Sequence, residues 1–249
     1  MKISIITINY NNYLGLKKTM QSVFDQSWKD YEYIIIDGGS TDGSKELIEL
    51  NSNKINTWLC EPDNGIYQAM NKGIELAKGD YLLFLNSGDK LFDNDILNQI
   101  KDNSAEFDIL YGDLMFSDNL RIRKYNDEVN LKYFMSNSLG HPSTLFKRDI
   151  FKKNKYNEEF KIVSDWILLF EIFLDGGTFK YLNIVISEFE GGGISDNEDL
   201  VNVERKNYIN QKFPIIGAEF IKVQYELDNL AAKFNKCTIK NKIRSLFQN

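Results

Sequence analysis

The segment Gly79-Asp-Tyr-Leu-Leu-Phe-Leu-Asn-Ser-Gly-Asp89 decides the fold. A short apolar run ends abruptly in polar residues closed by a carboxylate. In an open parallel sheet ligands collect beyond the carboxyl ends of the strands, so Asn86, Ser87 and Asp89 are expected to project into a crevice. A single hard carboxylate suits a Mg2+ or Mn2+ ion that takes its other ligands from water and substrate phosphates. Taken alone, the segment fits a plain strand-to-helix turn capped by Asp89 about as well. Repetition separates the two. Tyr33-Ile-Ile-Ile-Asp37 is a second apolar strand ending in a carboxylate, followed by the turn-rich Gly38-Gly39-Ser40-Thr41-Asp42-Gly43. Ile3 to Ile8 is a third, running into Asn9-Tyr10-Asn11-Asn12. Three strand ends converging on oxygen-rich termini imply one composite site.

The elements around these strands alternate. A helix carrying Leu16, Met20, Val23 and Phe24 on one face follows the first strand. A helix around Ser44–Leu50 follows the second. A short strand at Asn56–Cys60 leads into the turn Glu61-Pro62-Asp63-Asn64-Gly65. The helix from Ile66 to Ala77 then precedes the strand Tyr81–Leu85. This alternation predicts an α/β fold with a mostly parallel central sheet, right-handed crossovers and flanking helices. After a helix near Asp95–Ile100 the pattern becomes mixed. Strands are expected at 108–113, 114–124 and 143–146, an apolar helix at Asp165–Leu174 and a strand at Phe179–Ile186. A glycine-rich break, Gly191–Ser195, follows. The expected organisation is one domain over residues 1–215, with halves near 1–105 and 106–215, and a helical tail over 216–249.

At 249 residues, 43% hydrophobic and 27% charged, the chain is long enough for one sizeable core. A net charge of −6 excludes general nucleic-acid binding, which needs clustered Lys and Arg. Two distant cysteines, Cys60 and Cys237, form neither a disulfide framework nor a metal knot, and a reducing cytoplasm is the expected compartment. The N-terminus begins a strand directly, with too short an apolar stretch for a signal peptide. The longest apolar stretch, Trp166–Leu174, falls short of the ~20 residues of a membrane span. The tail from Leu230 carries Lys233, Lys236, Lys240, Lys242 and Arg244, no acid, and interleaved apolar residues. Two readings stay open for it: peripheral contact with an anionic inner-membrane surface, or a helix packed on the body.

Several machineries are missing. No Gly-x-Gly-x-x-Gly follows the first strand, and there is no P-loop, no Gly-x-Ser-x-Gly and no Cys-His pair. His141 is the chain's single histidine.

In this order the motifs resemble the family 2 inverting glycosyltransferases, which have the type A glycosyltransferase fold. The resemblance rests on Ser4-Ile-Ile-Thr-Ile-Asn-Tyr-Asn11, Ile35-Ile-Asp-Gly-Gly-Ser-Thr-Asp-Gly-Ser44, Asn64-Gly-Ile-Tyr-Gln-Ala-Met-Asn-Lys-Gly73 and Leu85-Asn-Ser-Gly-Asp89. It spans roughly the first 190 residues. It implies transfer of a hexose or N-acetylhexosamine from a UDP-sugar donor to a glycan acceptor, as in bacterial O-antigen or capsule synthesis. A lipid-diphosphate-linked oligosaccharide is one acceptor it admits.

By that resemblance Asn9 and Tyr10 line the nucleotide pocket, and Asp37 accepts a hydrogen bond from uracil. Asn71 helps shape the same pocket. Asn86 contacts ribose and Ser87 lies beside it. The family's usual run of carboxylates is reduced here to Asp89, the sole direct carboxylate ligand of Mn2+ or Mg2+. Asp165, at the start of the apolar helix, is the implied catalytic base, taking the acceptor's hydroxyl proton. It also fits a plain helix-start charge. His141 and Trp166 fall on the acceptor side, with Trp166 and Tyr67 as candidates for sugar stacking. Gly191–Ser195 has the composition of a lid over the diphosphate. Two other functions fit part of the pattern. A non-catalytic nucleotide-sugar-binding partner accounts for Asn86 and Gly88 standing where acids are usual. A sugar-nucleotide nucleotidyltransferase fits less well, because Asn9–Asn12 lacks glycine and positive charge.

Overall fold

A computed structural model of the chain describes residues 1–102, 106–191 and 197–214, with isolated positions between 217 and 229. Its strands follow from the apolar runs. β1 (Ile3–Asn9) is buried at every position and β2 (Tyr31–Asp37) at nearly every one, as strands covered on both faces must be. β3 (Thr57–Cys60) and β4 (Tyr81–Phe84) complete a parallel set in the order β3-β2-β1-β4.

Side-chain alternation divides the core into two layers. Ile3, Ile5, Tyr33, Ile35, Tyr81 and Leu83 pack with Leu16, Met20 and Val23 of α1 (Tyr13–Phe24). The same layer takes Leu47 and Ile48 of α2 (Ser44–Leu50) and Ile96, Leu97 and Ile100 of α4 (Ile96–Asp102). On the opposite face, the glycine at 73 lets α3 (Ile66–Leu76) come down onto Ile6. Phe84 there meets Phe146, Phe151 and Tyr156 edge-on.

The second half continues the same sheet as β8-β6-β9-β5. β8 (Thr144–Lys147) is antiparallel to both neighbours, β4 and β6 (Ile109–Phe116). β9 (Phe179–Phe189) is parallel to β6, and β5 (Lys90–Leu91) closes the edge against β9. β3, β2, β1, β4, β6 and β9 therefore share one direction, which is the mostly parallel sheet expected. The reversal of β8 matters for the site. Leu83 pairs with Leu145, so the residues that enter β8 lie beside those that leave β4. The 3-10 turn His141–Ser143 is thereby carried to the carboxyl end of β4.

Some boundaries differ from the sequence reading. The strands expected at 108–113 and 114–124 are one strand, β6. It ends at Phe116, where Ser117-Asp118-Asn119 turns the chain and Leu120 adopts a φ of 54°. Only β7 (Ile122–Arg123) returns to pair with Leu114 and Met115. β9 runs to Phe189 rather than Ile186. A short helix, α5 (Leu131–Ser136), was not anticipated, and α6 (Ser164–Leu174) begins one residue early.

The chain divides into two compact units, Met1–Asn197 and Glu198–Asn249. In the second unit α7 spans Glu198–Lys212. The basic tail 230–249 and residues 192–196 of the glycine-rich break lie outside the described residues. No helix among the described residues is long and apolar enough to cross a membrane.

Candidate functional site

The carboxyl ends of β1, β2 and β4 are tied into one polar network. Asn9 stands opposite Asp37 in the parallel register, and its Nδ2 donates to Asp37 Oδ2 at 2.7 Å and to Ser40 Oγ at 3.2 Å. Ser87 Oγ donates to Asn9 Oδ1 at 2.7 Å, which brings in the end of β4. Asn12 caps α1 by accepting from the Gly15 amide, while its own Nδ2 donates to the Ser87 carbonyl.

Asp37 is fully buried and saturated. Oδ2 accepts from Asn9 and from Ser40 Oγ (2.7 Å), and Oδ1 from the amides of Gly39 (3.1 Å) and Ser40 (2.8 Å) and from Cys60 Sγ (3.2 Å). Burial pushes its pKa up, but the hydrogen bonds from Ser40, Asn9 and Cys60 outweigh burial and hold it below the ordinary carboxylate value. Both oxygens accept from the protein, so Asp37 organises the wall.

That wall bounds an open cleft of about 650 Å³, lined among others by Asn9, Tyr10, Gly38, Asp63, Asn86 and Ser87. Tyr10 is exposed at its mouth, beside Gly38. The run Pro62–Ile66 lines the cleft as well, packed against Gly38 and Gly39, where the sequence reading had a turn up to Gly65. Asp63 Oδ1 accepts from the Gly65 amide, while Oδ2 stands over Gly38, where a Cβ would approach it to 2.7 Å.

A second cluster adjoins the cleft through Asn86. Asn86 Nδ2 and His141 Nε2 are 2.8 Å apart, and Asn86 Oδ1 is buried with no hydrogen-bond partner among the described residues. His141 Nδ1 stands 3.7 Å from Asp165 Oδ2. Asp165, in the first turn of α6, accepts from its neighbour's amide, Trp166 N, at 2.7 Å. The Tyr67 hydroxyl, 3.5 Å from Asp165 Oδ1, donates to the Ile162 carbonyl at 2.6 Å. Burial first, and then the Asp165 charge, raise the Tyr67 pKa well above 10, so it remains a protonated donor.

Asp89 lies three residues beyond Asn86 and is 3% exposed. Its Oδ1 accepts from the Glu190 amide at 3.2 Å and its Oδ2 has no partner among the described residues. Burial pushes its pKa up to about 6, against a smaller opposing pull from His141. A buried, unsatisfied anionic oxygen is a feature that a hard cation would resolve. No cluster of three or more His, Cys, Asp or Glu able to hold a metal is present among the described residues, so further ligands would have to come from a bound diphosphate and water.

Three residues named from the sequence lie elsewhere. Asn71 is buried in α3, where its amide exchanges hydrogen bonds with the Tyr156 backbone and donates to Glu158 Oε1, so it fastens α3 to residues 156–158 and does not line the cleft. Trp166 is 2% exposed, stacked on Phe170 and bonded through Nε1 to the Phe134 carbonyl, which makes it core rather than a sugar platform. Tyr67 is likewise buried, stacked on Tyr156.

The sheet order and the cleft at its carboxyl edge define a type A glycosyltransferase fold. The model for "Glycosyl transferase family 2" matches residues 4–177, and the chain belongs to that family. It is 29% identical over 203 residues to a PGL/p-HBAD biosynthesis glycosyltransferase of Mycobacterium bovis (strain BCG / Pasteur 1173P2), covering 78% of each. It is 33% identical over 129 residues to the putative teichuronic acid biosynthesis glycosyltransferase TuaG of Bacillus subtilis (strain 168), covering 49% of this chain and 51% of that one. Among solved structures, S. aureus TarS 1-349 in complex with UDP-GlcNAc superposes with a TM-score of 0.68 at 20% identity, covering 84% of this chain and 67% of that one. Against the longer TarS chain the match spans 40% of that chain's length. The mannosyltransferase PcManGT from Pyrobaculum calidifontis, in complex with GDP-Man and Mn2+, superposes with a TM-score of 0.62 at 14% identity, covering 88% of this chain and 64% of that one. At these identities the superpositions establish the fold.

Proposed function

We propose that this family 2 glycosyltransferase moves one hexose or N-acetylhexosamine from a UDP-sugar to a glycan acceptor with inversion, in the assembly of a bacterial surface polysaccharide. The observation that carries the reading is that Asn86, which lines the cleft, is separated from the Asp165 carboxylate by a single imidazole. A donor seated in the cleft thus has a carboxylate one imidazole beyond its wall. The names of the mycobacterial and Bacillus relatives support a surface glycan as product, and TarS, bound to UDP-GlcNAc, supports a uridine nucleotide.

In this reading the base enters the cleft beside Tyr10, and the Asp63 carboxylate, which lines the cleft where Asp37 stands behind its wall, accepts the uracil N3–H. Asn86, on the cleft wall, contacts ribose. Asp165 removes the proton of the acceptor hydroxyl as its oxygen bonds to the anomeric carbon from the face opposite the diphosphate. The bond from that carbon to the diphosphate oxygen breaks, and UDP leaves with the electron pair. One Mn2+ or Mg2+ ion, held by Asp89 Oδ2, would supply neutralisation of the leaving diphosphate. A lipid-diphosphate-linked acceptor and peripheral contact with the cytoplasmic face of the membrane belong to the same proposal and rest on the basic tail.

Calorimetric titration of UDP with and without Mn2+, on the wild type and on Asp89→Ala, tests the donor site. Binding that strengthens with metal, and a loss of that gain in the variant, is the expected result. Absence of UDP binding under both conditions would overturn it.

A further inference from the structure

His141 sits between two groups that the proposed reaction uses separately, and its surroundings fix its proton. Nδ1 faces the Asp165 carboxylate at 3.7 Å. A lone pair pointed at an anion is repelled, so Nδ1 carries the N–H. A neutral imidazole has one N–H, which leaves Nε2 as the acceptor for Asn86 Nδ2 at 2.8 Å. That assignment in turn settles the Asn86 amide, because Nδ2 is committed to the ring and the orphan buried atom must be Oδ1. One tautomer therefore orients both neighbours. The ring is only 16% exposed, with Nε2 hydrogen-bonded to Asn86 and Nδ1 turned toward the Asp165 carboxylate.

We propose that His141, held as the Nδ1–H tautomer between Asn86 and Asp165, is a positioning residue that aligns the Asp165 carboxylate with the acceptor hydroxyl while fixing the Asn86 side chain at the cleft wall. The Tyr67 hydroxyl lies 3.5 Å from the other carboxylate oxygen, its proton committed to the Ile162 carbonyl, so His141 Nδ1 is the donor that faces Asp165 from across the cluster. This inference rests on the reading of Asp165 as base. It adds that the donor wall and the base are aligned by one ring.

Because the chain has a single histidine, the tautomer can be read without overlap. Long-range 1H–15N correlation on the full chain labelled at histidine, at about pH 8.5 where an ordinary imidazole is neutral, is expected to show a protonated Nδ1 and an unprotonated Nε2. In Asp165→Asn the bias should fall and Nε2–H gain population. A wild-type ring protonated at Nε2 would overturn the inference whatever the kinetics show. In UDP release from UDP-sugars, with water standing in for the acceptor, His141→Ala is expected to lower kcat about 100-fold with donor KM within about threefold. His141→Asn, whose amide can replace Nδ1–H, should recover about tenfold of that loss, and His141→Gln, whose amide reaches the Nε2 position, should not. An unchanged kcat in His141→Ala while Asp165→Asn is inactive overturns this inference alone. Activity in Asp165→Asn overturns the base reading itself.

Discussion

Asn9 and Asp37 face each other across the ends of β1 and β2 and share a 2.7 Å hydrogen bond, to which the ends of two further segments are tied. Ser87 reaches the pair from β4 and Ser40 from the turn after β2. A buried carboxylate with five donors around it holds the wall in one geometry before any ligand arrives.

Asp37→Ala should therefore act on stability and on binding together. Removing the carboxylate takes one of two acceptors from Asn9 Nδ2 and the acceptor of the Gly39 and Ser40 amides, at an expected cost of about 2–4 kcal/mol. Urea denaturation measures it. The linkage has a definite sign. The folded-state pKa lies below the unfolded one, so the contribution of Asp37 is complete above the unfolded value near 3.9 and is lost as pH falls through the folded value. The stability gap between wild type and Asp37→Ala should accordingly be flat from pH 5 to 8 and narrow only in strong acid.

Asp89 has the opposite sign. Its folded pKa of about 6 exceeds the unfolded value, so the folded state holds a proton that the unfolded state has lost. Stability associated with this group is highest below about pH 4, falls as pH rises through 6, and is then lower by about 3 kcal/mol. Asp89→Asn should gain melting temperature over the wild type at pH 7.5 and little or nothing at pH 4, in the absence of metal and nucleotide. An equal difference at both pH values would contradict the burial argument.

The strand ends were legible because parallel strands buried on both faces read as unbroken apolar runs, and the polar residues that stop them, Asn9, Asp37 and Asn86, must lie at the open edge. Asp63 was not legible as a wall residue. Pro62-Asp-Asn-Gly65 reads as a turn, and only the parallel placement of β3 sets it against Gly38 and Gly39. Trp166 was misplaced because α6 is apolar nearly all round, which gives no period from which to read an outer face. Asn71 was misplaced because its partners at Tyr156 and Glu158 are more than 80 residues away. His141 was found by composition, but its neighbours depend on the reversed direction of β8.

Asp63→Ala should weaken UDP binding about tenfold while leaving the fold intact, since the residue is partly exposed and only one of its oxygens has a hydrogen bond to the Gly65 amide. Discrimination of UDP from CDP should fall with it, because cytosine lacks the N3–H that a carboxylate accepts. Competition between the two nucleotides measures this directly. Undiminished preference for UDP would remove Asp63 from base reading.

Gly88 has a φ of 110°, and a Cβ there would collide with Glu190 Oε2, whose side chain is salt-bridged to Lys18 at 3.1 Å. Gly88→Ala should cost about 1–3 kcal/mol through backbone strain and displace Glu190. Thermal melting reads the first effect. A change in metal-dependent UDP affinity reads the second, because the Glu190 amide also holds Asp89 Oδ1.

The central claim, that Asp165 takes the proton in an inverting transfer from a donor seated at the β1, β2 and β4 ends, is tested most directly by Asp165→Asn. The variant keeps the shape of the side chain and an acceptor for the Trp166 amide while removing the base. UDP affinity should stay within about twofold and UDP release from the donor should fall by about a thousandfold. Retention of release within a factor of ten, with UDP binding intact, would contradict the account.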